Sequence, residues 1–186
     1  MNSARLGGLK RMEAKNLAEL YDLPTLEWEP FSAKLDAGYT QAPGTGGPNR
    51  HTTWIATIDA DGSPNVNGVG SLWLDGAFIF ETGRTSRKGR NIERDPRCTI
   101  SLSLEDFDLV VEGEAVMVTD PALVLEVARL YAEDWPCRVD ASGIALTADF
   151  SAPSAGPPPW HVYRVVPQTA MVLSIPEPGG ATRFVF

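Results

Sequence analysis

Phe80-Glu-Thr-Gly-Arg-Thr-Ser-Arg-Lys-Gly-Arg-Asn-Ile92, continued by Glu93-Arg-Asp-Pro96, is the stretch that decides how this chain folds. An apolar and aromatic run from Ala77 to Thr82 leads into it. Gly83 interrupts that run, and polar helix formers follow from Thr85 to Arg94. Asp95-Pro96 then stops the helix, because a proline pushes its predecessor out of the helical region. Strand, glycine turn and short helix are therefore expected in that order.

The same stretch carries Arg84, Arg87, Lys88 and Arg90. The chain as a whole is acidic, with 24 Asp and Glu against 16 Lys and Arg and a net charge of -8. Backbone N–H groups at a helix start lack partners, and the helix dipole is positive there, so Ser86, Arg87 and Lys88 could form a phosphate cradle. A solvated basic helix face would use the same residues and stays open on sequence alone.

Working outward toward the N-terminus, Asn65 to Leu74 and Thr52 to Ile58 read as strands. They are joined by the turns Asp75-Gly76 and Asp59-Ala-Asp-Gly-Ser63. Gly and Pro crowd Gln41 to Asn49, which is read as a linker. Before it, Leu9, Met12, Leu17 and Leu20 suggest a helix over residues 9 to 21, and a second short helix is expected from Glu29 to Asp36. The division is a leader and linker over residues 1–48 and one barrel domain over 49–186.

Toward the C-terminus, strands are expected at Arg97 to Leu104 and Leu109 to Val118, with Glu105-Asp-Phe-Asp108 as a longer hairpin loop. Asp120-Pro121 opens a helix to about residue 133, because an N-cap oxygen and a proline at the first turn suit a helix start. Residues 136 to 159, rich in proline and small residues, read as a surface excursion. Three final strands, Trp160 to Val166, Thr169 to Ile175 and Ala181 to Phe186, are separated by Pro167-Gln168 and Pro178-Gly-Gly180. Many closely spaced antiparallel strands with few helices imply a mainly β fold closed into a barrel.

Composition narrows the function. The acidic balance disfavours nucleic acid and anionic membranes as partners, since both would repel the average field. No stretch approaches the roughly 18 apolar residues of a membrane span. Cys98 and Cys137 have no metal-type spacing, so no metal is expected and a reducing cytoplasm is the default expectation. With His51 and His161 as the two histidines, neither a zinc site nor a Cys/His nucleophile has convincing ligands. Glu112 and Glu114 flank Gly113 and read as a solvated or ion-paired strand face rather than an acid/base pair.

The chain resembles a known superfamily on several marks taken in order: Trp54-Ile-Ala-Thr57, Asp61-Gly-x-Pro64, Trp73 before Asp75-Gly76, Thr82-Gly83, Arg87-Lys88-x-x-Asn91-Ile92, Asp95-Pro96 and Val111-Glu-Gly-Glu-Ala115. These are similar to the pyridoxamine-phosphate-oxidase-like FMN-binding split barrels, and most similar to the branch that uses the deazaflavin coenzyme F420. The resemblance covers about residues 50 to 186. It implies a homodimeric split β-barrel in which Lys88 and Asn91, with Ser86 and Arg87 beside them, help to hold the cofactor phosphate.

By the same resemblance the ring would lie in a cleft framed by Val69-Gly70-Ser71, Trp73 and Glu81-Thr82-Gly83, with Trp54 and His161 as further contacts. The residues themselves leave other readings open: Trp54 and Trp73 as barrel packing, His161 as a strand histidine with one satisfied bond. The implied function is an oxidoreductase passing hydride from reduced F420 to a small unsaturated molecule. An FMN-dependent enzyme and a cofactor-binding protein without turnover are the alternatives. Pyridoxamine phosphate itself is disfavoured as substrate, because the C-terminal strands show no basic and histidine pairing to hold its phosphate, and the ending Thr182-Arg-Phe-Val-Phe186 supplies only Arg183.

Overall fold

A computed structural model describes residues 12–38, 52–132 and 135–186. The predicted linker at Gln41 to Asn49, His51, and the first part of the predicted leader helix lie outside these residues.

The described residues form ten strands and three α-helices: β1 (Glu13–Asn16), α1 (Glu29–Asp36), β2 (Thr52–Ile58), β3 (Pro64–Leu74), β4 (Ala77–Thr82), α2 (Arg87–Arg94), β5 (Arg97–Ser103), β6 (Phe107–Met117), α3 (Pro121–Tyr131), β7 (Arg138–Val139), β8 (Ala145–Thr147), β9 (Trp160–Ser174) and β10 (Gly180–Val185). The sheet runs β9-β4-β3-β2-β5-β6, and β6 pairs again with β9, so six antiparallel strands close a barrel. Closure removes free strand edges, the main liability of such sheets. β10 and β1 extend the sheet beyond β9.

The alternation of side chains follows the pleat. On β5, Cys98, Ile100 and Leu102 are buried while Arg97 and Ser103 are exposed. Phe78 and Phe80 of β4 join Ile55, Ile100, Leu109 and Val172 in the barrel core. The opposite face of β4 sends Ile79 into a second core, made with Val124, Val127 and Tyr131 of α3 and with Leu146, Trp160 and Val162. Every residue of β4 is buried, because the barrel covers one face and α3 with the excursion covers the other.

Three local expectations are corrected. The first of the two expected leader helices, over residues 9 to 21, is absent among its described residues from Met12 onward, while the second is present as α1. Glu13–Asn16 is a strand paired with β10, followed by a short 3-10 turn at Glu19–Tyr21. Leu20, counted as part of an apolar helical stripe, is 95% exposed, so no apolar face existed to drive a helix. Pro167-Gln168 is not a turn. β9 runs through it as one strand, with a bulge opposite Gly113 where the register against β6 shifts. A Cβ on Gly113 would sit 2.1 Å from the Val166 carbonyl oxygen, so the bulge depends on the glycine. The loop at Glu105 to Asp108 is shorter than expected, since Phe107 and Asp108 already pair in β6.

The excursion also has order of its own. β7 and β8 form a small hairpin, and β8 pairs with the start of β9. Trp135, Phe150 and Trp160 then pack ring against ring, with centroids 4.7 to 5.9 Å apart. That aromatic cluster fastens the excursion beside the end of β4.

Candidate cofactor-phosphate site

The predicted strand–turn–helix junction is present, and its construction is local. The Ser86 side chain caps α2 by accepting from the Gly89 backbone N–H at 3.0 Å, and it shares a 2.9 Å hydrogen bond with the Thr82 hydroxyl at the end of β4. Gly89 lets the first turn press against the loop, since a Cβ there would meet the Gly83 carbonyl oxygen at 2.3 Å. Gly83 is equally constrained. Its N–H donates to the Ala155 carbonyl at 3.2 Å, and a Cβ would lie 2.6 Å from that oxygen. Gly83 is thus closely approached by the excursion's own backbone.

The four cations of the junction are not equivalent. Arg87 pairs with Asp59, its Nε donating at 3.0 Å, and Asp59 also accepts from the Asn91 amide at 2.8 Å. These two bonds hold the Asp59 carboxyl below its ordinary value. Asn91 reaches the Thr57 hydroxyl at 3.1 Å as well, so it fastens α2 to β2. Arg84 pairs with Glu93, and Arg90 donates to the Thr85 carbonyl. Lys88 differs from all of them. It is 1% exposed, and its Nζ has no hydrogen-bond partner among the described residues.

A buried ammonium without an acceptor is costly. Burial pulls the Lys88 pKa down to about 8, with the nearby Glu81 carboxylate opposing the fall. Glu81 is itself buried, with Oε2 unpartnered among the described residues. Burial pushes its pKa up to about 7, against a hydrogen bond from the Tyr131 side chain and the charge of Lys88. His161 lies opposite Thr82 in the β4–β9 register, and its Nδ1 is another buried atom without a partner among the described residues. Burial, then the charge of Arg84, keeps the imidazole below its ordinary value. The orphaned Lys88 donor at the start of α2 suits an anion; the orphaned Glu81 oxygen is an acceptor and opposes one, and His161, opposite Thr82, belongs to the other face of β4 from Glu81.

The remaining predicted residues divide. Gly70 lies across from the end of β4 and is exposed, and its carbonyl accepts from the Tyr131 hydroxyl at 3.3 Å. Val69 and Ser71 are buried on β3, with Ser71 accepting from the Thr53 hydroxyl at 3.0 Å. Trp73 is not brought to the junction. It sits at the other end of the β3–β4 hairpin, donates to Asp36 at 2.8 Å and packs edge-on against Phe78. Trp54 is 53% exposed on the outer face of β2. Glu112 binds Thr169 and Arg183, and Glu114 binds Gln168, so both serve as exposed pairing groups as expected.

Sequence reasoning missed Asp59, Tyr131 and Cys137. Asp59 reads in sequence only as a turn residue and Tyr131 only falls within the helix expected after Pro121, since nothing local shows which distant strand either meets. Among the described residues, no group of His, Cys, Asp and Glu could hold a metal ion, and no helix is long and apolar enough to cross a membrane.

Comparison with known proteins gives concordant results. The family described as pyridoxamine 5'-phosphate oxidase matches residues 47–170. A pyridoxine/pyridoxamine 5'-phosphate oxidase of Burkholderia multivorans is 26% identical over 160 residues, covering 76% of this chain and 73% of that protein. A protein of the same name from Alcanivorax borkumensis is 28% identical over 140 residues, covering 64% of this chain and 65% of that one. Among solved structures, PhzG from Burkholderia lata 383 in complex with tetrahydrophenazine-1-carboxylic acid superposes with a TM-score of 0.52 at 20% identity, over 88% of each chain. That last likeness is one of fold.

Proposed function

The chain belongs to the pyridoxamine 5'-phosphate oxidase family, and from that premise we propose that it is an oxidoreductase holding a phosphorylated flavin-type cofactor at Lys88, with coenzyme F420 as the cofactor. The observation that carries the reading is the buried, unpartnered Lys88 ammonium in the first turn of a capped helix. When bound, the cofactor supplies two-electron hydride chemistry, and the substrate is read as a small unsaturated or conjugated molecule.

The chain's own residues would do the binding and positioning. Lys88 would give the phosphate a charge-assisted contact, made easier because the ammonium has no acceptor to leave behind. Ser86 and Thr82 shape the turn, while Asn91 and Arg87 lock α2 onto β2 through Asp59. The exposed backbone at Gly70 and the end of β4 would border the ring, and His161, uncharged at neutral pH, would offer it a neutral polar edge.

The deazaflavin is favoured over FMN by charge. With Arg84 and Arg87 committed to Glu93 and Asp59, and exposed Arg90 turned to the Thr85 carbonyl, Lys88 is the one buried cation of the junction, which matches the single charge of the F420 phosphodiester better than the two charges of a phosphate monoester. A second reading, an FMN-dependent oxidase, is favoured by the names of the two curated relatives. Pyridoxamine phosphate as the substrate is not favoured by Arg183, which is tied to Glu112 on the outer face.

A homodimer is part of the proposal. Exposed Trp54 and Met171 lie in one cross-strand row through Ser101 and Val110 on the outer barrel face, an apolar surface suited to a second copy. Fluorescence titration with F420 and FMN in parallel tests the cofactor. Tighter, saturable binding of F420 supports the proposal. Preference for FMN moves the protein to the second reading, and binding of neither removes both. Binding without reduction of any unsaturated substrate would instead favour a non-catalytic cofactor carrier.

A further inference from the structure

We propose that Glu81 is a charge filter that makes the Lys88 site discriminate between phosphodiester and phosphomonoester cofactors. The inference rests on the phosphate-anchoring reading above and assigns a specificity role to a residue until now placed only by its backbone.

The argument begins with burial. Glu81 is 8% exposed and Lys88 is 1% exposed, and each keeps a polar atom that no described residue satisfies. Each group shifts the other's proton affinity, so they share one low-dielectric compartment. Without ligand, ammonium and carboxylate offset one another. A bound phosphodiester adds one negative charge, which a neutral Glu81 carboxyl tolerates. A monoester dianion leaves the compartment negative even then, and doubly so when Glu81 is ionised.

Among the described residues, no other group acting on the carboxyl supplies the missing charge. The Tyr131 hydroxyl of α3 donates a hydrogen bond to it. The Cys137 thiol beyond α3 is pushed up to about 11 and stays neutral. On β9, Val162 lies opposite Glu81, while His161 and Tyr163 lie opposite Thr82 and Phe80 and so belong to the other face of the sheet. From α2, Lys88 is the only cation acting on Glu81. Discrimination should therefore grow as the pH rises past about 7 and Glu81 ionises.

The test is titration of wild type and Glu81→Gln with FMN and with F420 at pH 6 and pH 8. Wild type should lose at least tenfold in FMN affinity between the two pH values and no more than about threefold for F420, whose single charge meets half the repulsion from ionised Glu81. Glu81→Gln should recover at least tenfold for FMN at pH 8 and leave F420 within about threefold. Tyr131→Phe provides a second variant: it removes the hydrogen bond that favours the ionised carboxyl, so FMN binding should persist to higher pH. Equal effects of Glu81→Gln on both cofactors, or none on either, overturn the filter while leaving the Lys88 anchor intact. Failure of wild type to bind either cofactor overturns the anchor and the filter together.

Discussion

Replacing Lys88 by methionine should move stability and affinity in opposite directions. The side chain is buried and its ammonium lacks an acceptor among the described residues. The fall in its pKa from 10.5 to about 8 corresponds to about 3 kcal/mol for keeping the charge buried, at about 1.4 kcal/mol per tenfold. Part of that gain is offset, because Glu81 loses its counter-charge. A net stabilisation of about 1–2 kcal/mol remains, which for a chain of this size raises Tm by roughly 3–6 °C. Methionine keeps most of the volume, so no cavity complicates the comparison. Cofactor affinity should fall roughly 10- to 150-fold, the equivalent of about 1.5–3 kcal/mol for a lost charge-assisted contact. Thermal unfolding of the cofactor-free protein at pH 7 and fluorescence titration supply the two readings. A variant that melts lower and still binds as tightly as wild type would refute the reasoning.

Two further outcomes follow from the same geometry. The Glu81 pKa is raised from 4.5 to about 7, so the native state holds a proton the unfolded chain has lost, and stability should decline as pH rises through that window. The Lys88 pKa is lowered from 10.5 to about 8, so stability should recover as pH rises between those values. Chemical denaturation across pH should show a minimum near pH 7–8, and Glu81→Gln should remove its acid-side slope. Gly89→Ala would place a Cβ 2.3 Å from the Gly83 carbonyl oxygen; it should cost about 1–3 kcal/mol of stability by overpacking, measured by denaturant unfolding, and weaken cofactor binding by disturbing the cap.

Elements whose signal is local were legible in the sequence. β2, β4 and α1 have the expected bounds, because β-branched and aromatic runs ending at turn residues, or a helix start carrying Pro30, are decided within a few residues. β1 was not legible, since Glu13–Asn16 becomes a strand by pairing with Arg183 and its neighbours in β10. The continuity of β9 across Pro167 depends on a bulge against Gly113 of β6, again a partner far along the chain.

The candidate site divides in the same way. Ser86, Lys88 and Asn91 announce themselves by spacing after a strand. The commitment of Arg87 to Asp59, the bond from Tyr131 to the Glu81 carboxyl and the contact of Ala155 with Gly83 are tertiary. Periodicity carries no trace of them. Glu81 shows the difference most clearly: its place at the end of a strand is legible, whereas its burial follows only from α3 and the excursion covering that face of β4.

The central claim is that Lys88 holds the cofactor through its phosphate, and a two-by-two titration tests it most directly. Wild type and Lys88→Met would each be titrated with F420 and with the same deazaflavin lacking the phosphodiester tail. The account predicts that the variant loses roughly 10- to 150-fold for the phosphorylated cofactor and nothing for the truncated one, as expected when one charge-assisted contact is removed. Equal losses for both ligands, or none for either, would contradict it.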